Sequence, residues 1–210
     1  PILNTNKYTL RAVSGDVKAE NELEITTEVA ADVDNADFED WHYTTEQRKF
    51  LLESLIKKYT CYRYFPSLKN AQDVWWATNN ACSMQANSWG ADRATSCSSV
   101  SYVYNTDGTK AAELRSTSGG GYAHSSSVMV DDGIFPGMLF IGAYDWNGSS
   151  GTVSGGHTFT SRPLSLTFQY KYTPFDTDEF KAYIEIQNRA EGEMKILASG
   201  TLTKSQNTPD

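Results

Sequence analysis

The chain has 210 residues, 39% of them hydrophobic and 12% aromatic, and with its 15 glycines the apolar share is that of ordinary globular domains, which excludes collagen-like and low-complexity classes. No apolar run approaches the ~18–20 residues that a membrane-spanning helix requires. Asp and Glu number 26 against 18 Lys and Arg, a formal charge of -8, so the surplus cations that a nucleic-acid binder uses to neutralise phosphates are missing, and an anionic membrane surface is disfavoured for the same reason.

Lys7–Val13 and Glu22–Val29 read as strands around a Ser14-Gly15-Asp16 turn, with Leu23, Ile25, Thr27 and Val29 alternating at period 2, so a hairpin is predicted. Ala30–Asp37 follows as an acidic, small-residue linker, and the hairpin has the look of the last two strands of an immunoglobulin-like module over residues 1–34. Thr44 and Gln47 stand at capping-box spacing, and Leu51, Leu52, Leu55, Ile56 and Tyr59 recur at helical intervals, which predicts a helix over 44–59. Short strands are then expected at Val74–Asn79, Val100–Asn105, Lys110–Ser116, Met138–Tyr144, Leu164–Tyr172, Phe180–Gln187 and Met194–Ser199, separated by Ser/Gly/Asn-rich loops. Many short strands without intervening helices indicate an antiparallel sandwich or jelly roll. Cys61, Cys82 and Cys97 form no C-x-x-C pair, which leaves buried thiols or a Cys82–Cys97 bridge.

Sandwich-fold hydrolysis needs two carboxylates facing one another across a bond. Strand alternation groups Glu185 with Tyr183 and Gln187 rather than with a second acid, and Asp131, Asp132, Asp176, Asp178 and Glu179 sit beside turn formers, where Asp serves the backbone. His42, His124 and His157 have no metal-ligand spacing, and no G-x-S-x-G elbow occurs. The pattern leans away from catalysis and specifies no catalytic residue.

The aromatic residues say more. A sugar presents an apolar C–H face within a ring of hydroxyls, so its binding site combines flat rings with amide, carboxylate or guanidinium partners. Trp75 and Trp76 are adjacent on a strand and point to opposite faces, while Trp89 and Trp146 lie in polar loops with Asn79, Asn80, Gln85, Asn87 and Arg93 near in sequence. Trp75, Trp76, Trp89, Trp146 and Asn79 are therefore the sugar-facing candidates. Tyr170 and Tyr172 join them, and they share a strand face with Leu164, Leu166 and Phe168, which makes them partly core. Arg162 precedes Pro163 and is expected to be extended and structural.

Five pieces in order carry a resemblance: Phe38-Glu39-Asp40-Trp41, Trp76-Ala77-Thr78-Asn79-Asn80, Gly108 to Leu114, Gly137 to Tyr144, and Phe159 to Leu166 running into Tyr170-Lys171-Tyr172-Thr173-Pro174. Over residues 36–210 the chain resembles the putative carbohydrate metabolism domain of surface and secreted proteins of gut bacteria. The resemblance implies an all-β, galactose-binding-like jelly-roll sandwich, with the 44–59 helix as an insertion and an immunoglobulin-like domain before it. It also implies polysaccharide or oligosaccharide as partner and a cell-surface, periplasmic or secreted location in a Gram-negative bacterium. The family pattern continues beyond this sequence with closing strands, and a targeting segment is expected to have preceded Pro1. Modules of this kind hold a structural calcium ion where the first strand meets the one beginning G-x-x-A, which singles out Glu39 and Asp107; no other cofactor is implied. Non-catalytic carbohydrate recognition is the expected function. The alternatives are a sandwich-class glycoside hydrolase, with Glu185 as one acid, and an adhesive module that binds protein.

Overall fold

The structure, a computed structural model, describes residues 5–14, 16–26, 31–49, 58–87, 98–118, 134–148, 150–161, 163, 165–189 and 193–208. Among them the chain is all-β: thirteen strands pair only antiparallel, in small sheets none of which closes into a barrel, and one short helix interrupts them. Two compact units, residues 1–160 and 161–210, divide it.

In the first unit β1 (Thr5–Ser14) and β2 (Val17–Thr26) form the expected hairpin, with Ser14 opposite Val17 at its tip. The stretch read as a linker is fastened down. Asn35 takes a left-handed φ of 48°, which an Asx side chain tolerates by bonding locally. Its amide donates to the carbonyls of Asp40 (3.0 Å) and Pro66 (3.1 Å) and accepts from the Asp40 N–H (2.9 Å). Phe38, also left-handed, lies inside this turn, so the Phe38-Glu39-Asp40-Trp41 piece is a loop leading into a strand rather than a strand.

The helix expected over 44–59 is not what forms. His42–Lys49 is β3 and Lys58–Phe65 is β4, paired from His42 opposite Phe65 to Lys49 opposite Lys58; residues 50–57 lie outside the described set. Tyr43, Thr44, Thr45, Thr60, Tyr62, Tyr64 and Phe65 are β-branched or aromatic, and a pleated surface that packs Tyr43, Tyr62 and Tyr64 ring on ring outweighs an apparent capping box. Cys61 on β4 is disulfide-bonded and packs on Met84, whereas Cys82 is buried and outside any disulfide, so the Cys82–Cys97 bridge does not form.

After β5 (Trp76–Thr78) comes α1 (Asn80–Asn87), a helix that sequence reading missed because Asn and Ser are poor helix formers. It is held by buried polar contacts. Asn79 and Asn80 are fully buried. Asn80 donates to the carbonyls of Tyr64 (2.9 Å) and Val100 (2.8 Å) and accepts the Val100 N–H (2.9 Å). Asn79 donates to the Pro136 carbonyl (2.7 Å) and accepts from the Met138 N–H and the Ser99 hydroxyl, each at 3.0 Å. Ser98 adds a bond to the Tyr62 carbonyl (2.7 Å). These side chains substitute for ladder bonds between β4 and β6 (Val100–Tyr104), which belong to different sheets. β6 pairs with β7 (Lys110–Leu114) across a turn at Gly108, and β8 (Thr117–Ser118) pairs with β9 (Ile134–Phe135). β10 (Leu139–Trp146) joins β5 on one side and β11 (Gly151–Gly155) on the other. Gly142 is obligatory there, since at φ 140° an added Cβ would lie 2.1 Å from the Ser154 carbonyl oxygen.

In the second unit β12 (Phe180–Asn188) and β13 (Lys195–Lys204) form a two-faced hairpin. Ala182, Ile184 and Ile186 oppose Leu202, Gly200 and Ala198, while Lys181, Tyr183 and Glu185 oppose Thr203, Thr201 and Ser199. The strand expected over 164–172 does not form among the described residues of that stretch. Of the face assigned to it, Phe168, Tyr170 and Tyr172 do lie together, their rings 6.4, 5.4 and 5.8 Å from Phe180, whereas Leu166 is 55% exposed. Arg162 and Leu164 lie outside the described residues.

Replacing Asn80 with Leu leaves two carbonyls and one N–H buried without partners, each costing about 1–3 kcal/mol. Urea unfolding of Asn80→Leu is therefore expected to show a loss of at least ~3 kcal/mol, against a few tenths for the exposed control Gln72→Ala. Equal effects would show that the amide does not hold the strands.

Candidate functional site

The densest cluster of exposed chemistry is a sheet of tyrosines. Alternation places Tyr43 and Thr45 of β3, Tyr62 and Tyr64 of β4, and Tyr102 and Tyr104 of β6 on outward faces, with Trp41 at the entry to β3. The rings form a chain: Tyr43 to Tyr62 5.4 Å edge-on, Tyr43 to Tyr64 5.8 Å, Tyr64 to Tyr102 5.9 Å edge-on, Tyr102 to Tyr104 5.5 Å edge-on, and Trp41 to Tyr102 5.6 Å. Tyr43 (53% exposed) and Tyr104 (67%) stand proud while Tyr62, Tyr64 and Tyr102 are half-buried. Burial raises the phenol pKa of Tyr64 and Tyr102, with neighbouring tyrosines adding to both, so the hydroxyls stay protonated donors. Gln47 and Thr60, bonded to one another at 2.8 Å, give the surface a polar end. Lys110 underpins it: its ammonium bonds the Glu39 carbonyl and lies 5.4 Å from the centre of the Tyr102 ring.

None of the described candidates named from sequence is one of these tyrosines. Asn79 is buried with its amide committed to backbone and Ser99, so it holds the fold and faces no ligand. Trp75 is 8% exposed beneath the His157 ring. Trp76 is half-buried in a groove between β4 and β10, its indole N–H on the Asp34 carbonyl (2.8 Å) and its ring 4.8 Å from Phe38. Trp146 ends β10 opposite Gly151, and Trp89 lies outside the described residues. Tyr170 and Tyr172 belong to the Phe180 cluster of the second unit. Glu39 accepts the Lys110 N–H (2.8 Å), and Asp107 accepts the Thr109 N–H and hydroxyl at 3.0 and 2.6 Å. The Thr109 bonds hold the Asp107 carboxyl below its usual range. A calcium ion fits poorly here, because Lys110 already brings a positive charge to the Glu39 carbonyl and Asp107 closes its own turn; among the described residues no three His, Cys, Asp or Glu side chains group as metal ligands. Of the acids weighed for hydrolysis, Glu185 accepts a 2.7 Å bond from Gln187, Asp176 occupies a left-handed turn position, and Asp131 and Asp132 are outside the described set.

Elsewhere in the first unit, His157 and Asp73 bond at 2.8 Å. The imidazole stacks on Trp75 at 4.0 Å and 18°, and its other nitrogen faces the Thr158 carbonyl at 3.1 Å. Both ring nitrogens face acceptors, so the doubly protonated ring satisfies both contacts. A family model described as putative carbohydrate metabolism domain matches residues 37–206. The chain belongs to that family. No curated protein and no solved structure matches it. The carbohydrate metabolism domain spans β3 to β13 and so contains the tyrosine surface whole, while the β1–β2 hairpin falls outside the match.

Period-2 spacing in Cys61-Tyr62-Arg63-Tyr64-Phe65 and Tyr102-Val103-Tyr104 is the signal for that surface; the helical reading of 44–59 took Tyr43 and β3 out of it. Within the same domain, the His157 pKa is raised, first by its bond to Asp73 and then by the Thr158 carbonyl, and the Asp73 pKa is lowered, first by the bond from His157. The histidine's contribution is complete below its unfolded value near ~6.5 and is lost as pH rises through its elevated folded value; the aspartate's is present above ~3.9 and is lost as pH falls through its depressed one. Melting temperature is thus expected to fall further between pH 5.5 and pH 8 in the parent than in His157→Gln. Parallel curves would show that the pair contributes nothing.

Proposed function

We propose that this domain is a non-catalytic carbohydrate-binding module that grips a polysaccharide on the Tyr43–Tyr62–Tyr64–Tyr102–Tyr104 surface. Family membership supports a role in carbohydrate metabolism. The observation that carries binding is the ring chain itself: five tyrosines from three strands, two of them exposed by more than half, on a face edged by Gln47 and Thr60. Exposed rings held edge to edge cost hydration unless a flat apolar partner covers them, and the C–H faces of successive sugars form such a partner while phenol and amide groups meet their hydroxyls.

Hydrolysis would need a proton donor with a raised pKa facing a second carboxylate. Asp73 and Asp107 shift the opposite way, and Glu185 is bonded to an amide. The disulfide at Cys61 favours an oxidising compartment, in keeping with a secreted, periplasmic or surface-attached protein of a bacterial polysaccharide-processing system. The β1–β2 hairpin is then the tail of a preceding immunoglobulin-like module.

In native gels containing neutral plant polysaccharides such as xyloglucan, mixed-linkage glucan or galactan, the protein is expected to be retarded by at least one. Tyr43→Ala and Tyr104→Ala should each weaken retention about tenfold, equivalent to ~1.4 kcal/mol, without lowering the melting temperature, since both rings are mostly exposed. Retention indifferent to both substitutions would place binding elsewhere, and reducing-sugar release abolished by Glu185→Gln would make the protein a hydrolase.

A further inference from the structure

The opposite side of β4 carries a different chemistry. Arg63 and Phe65 alternate with the tyrosines and point the other way, into a groove of about 260 Å³ that Val74, Trp76, Thr78 and Tyr144 also line. Its size lies just under the ~300–1,000 Å³ of pockets that hold drug-sized molecules, which suits one sugar residue rather than a chain.

The guanidinium is the unusual feature. Its centre lies 4.9 Å over the Phe65 ring, and Nε is buried with no hydrogen-bond partner among the described residues. Among the described residues Glu46, diagonal to it across the β3–β4 pair, is the acid whose charge acts on it appreciably, and burial outweighs that acid in lowering the Arg63 pKa. The side chain as a whole is half-buried, and its enclosed Nε–H is costly to leave without a partner. Arginine's planar fork matches a carboxylate in two parallel bonds, an arrangement that a hydroxyl cannot supply. The flat partner for a sugar ring is beside it, since Trp76 lines the same groove and is fixed by its Asp34 bond and by Phe38. The Tyr144 hydroxyl is not the recognising group: it lies against the Cys82 thiol, and its pKa is raised first by burial and then by that thiol.

We propose that the Arg63–Trp76 groove is a second site, selective for a sugar bearing a carboxylate, such as a uronic acid residue, with Arg63 taking the carboxylate and Trp76 the ring face. The identification of the ligand as a sugar rests on the carbohydrate-binding reading, but the site is separate from the tyrosine surface. The chain's charge of -8 repels polyanions in general, so affinity for an acidic glycan requires a local cation of this kind.

The test is calorimetric titration of the full chain with galacturonic acid, galactose and acetate, together with native gels containing polygalacturonate or its methyl ester. Galacturonic acid is expected to bind at least tenfold more tightly than either galactose or acetate, and methyl esterification should remove the share of retention on the polymer that Arg63→Gln also removes. Arg63→Gln should remove the preference for acid, while Tyr43→Ala leaves it intact. Equal binding of galactose and galacturonic acid, or galacturonic acid bound no better than acetate, overturns the proposal without any variant having to fold. Acid-selective binding that survives in Arg63→Gln overturns it too. The two sites fail separately: loss of neutral-glycan retention with acid binding intact sinks the tyrosine surface, and the reverse sinks the groove.

Discussion

Strands β4 and β6 belong to different sheets, and the carboxamide of Asn80 fixes one against the other by bonding the Tyr64 and Val100 carbonyls and the Val100 N–H. The tyrosine surface exists because of that contact, since Tyr62 and Tyr64 come from one strand and Tyr102 and Tyr104 from the other. The interior around it is unusually polar. Among the described residues the buried apolar side chains are Cys61, Trp75, Cys82, Met84 and Val100, fewer than the buried Ser, Asn and Thr side chains. So small an apolar set specifies little geometry through packing. A satisfied network of directional bonds in a low-dielectric interior specifies a good deal, because each alternative arrangement leaves donors or acceptors unpaired.

That division explains what could be read from the sequence. The β1–β2 hairpin, β5, β6, β7 and β10 announced themselves through period-2 alternation between turn formers, and the all-β class followed. The strands β3 and β4 did not, because Thr44 and Gln47 imitate a helix cap, and only the partner strand shows that Tyr43 is laid out for cross-strand ring contacts. Helix α1 was missed for the opposite reason. Nothing in Asn80-Ala81-Cys82-Ser83 favours a helix locally, and its stability comes from bonds to residues about 20 positions or more away. The second unit shows a third outcome: the alternation of Phe168, Tyr170 and Tyr172 fixed their common face, yet it did not make a strand.

The candidate site was half legible. Aromatic content in an acidic, cation-poor chain agreed with the carbohydrate-related family that the chain belongs to, but weight fell on tryptophans because they are large and stood beside asparagines. Those asparagines are the fold's internal fasteners, and proximity in sequence to Trp75 and Trp76 reflects the end of β5 and the start of α1. Tyrosines are commoner and draw less notice singly; as a set they matter only when several strands bring them side by side.

One strand serves two surfaces because its side chains alternate. Tyr62 and Tyr64 present neutral rings on one face of β4, while Cys61, Arg63 and Phe65 present a disulfide, a cation and a ring on the other. The register that aligns one set aligns the other, and a slip of a single residue would bury the tyrosines and expel Arg63. The two faces therefore cannot drift independently. Their chemistries also differ in what screens them: contact between rings and sugar C–H faces is insensitive to salt, whereas a guanidinium meeting a carboxylate weakens as ionic strength rises, less so the deeper the cation is buried. Arg63 is half-buried on an acidic protein, so its own positive field is short-ranged, while the net charge of -8 repels polyanions at long range. Under the binding reading proposed above, a neutral stretch of glycan would meet no such barrier on the tyrosine face, and the groove would be where an acidic residue is told from a neutral one.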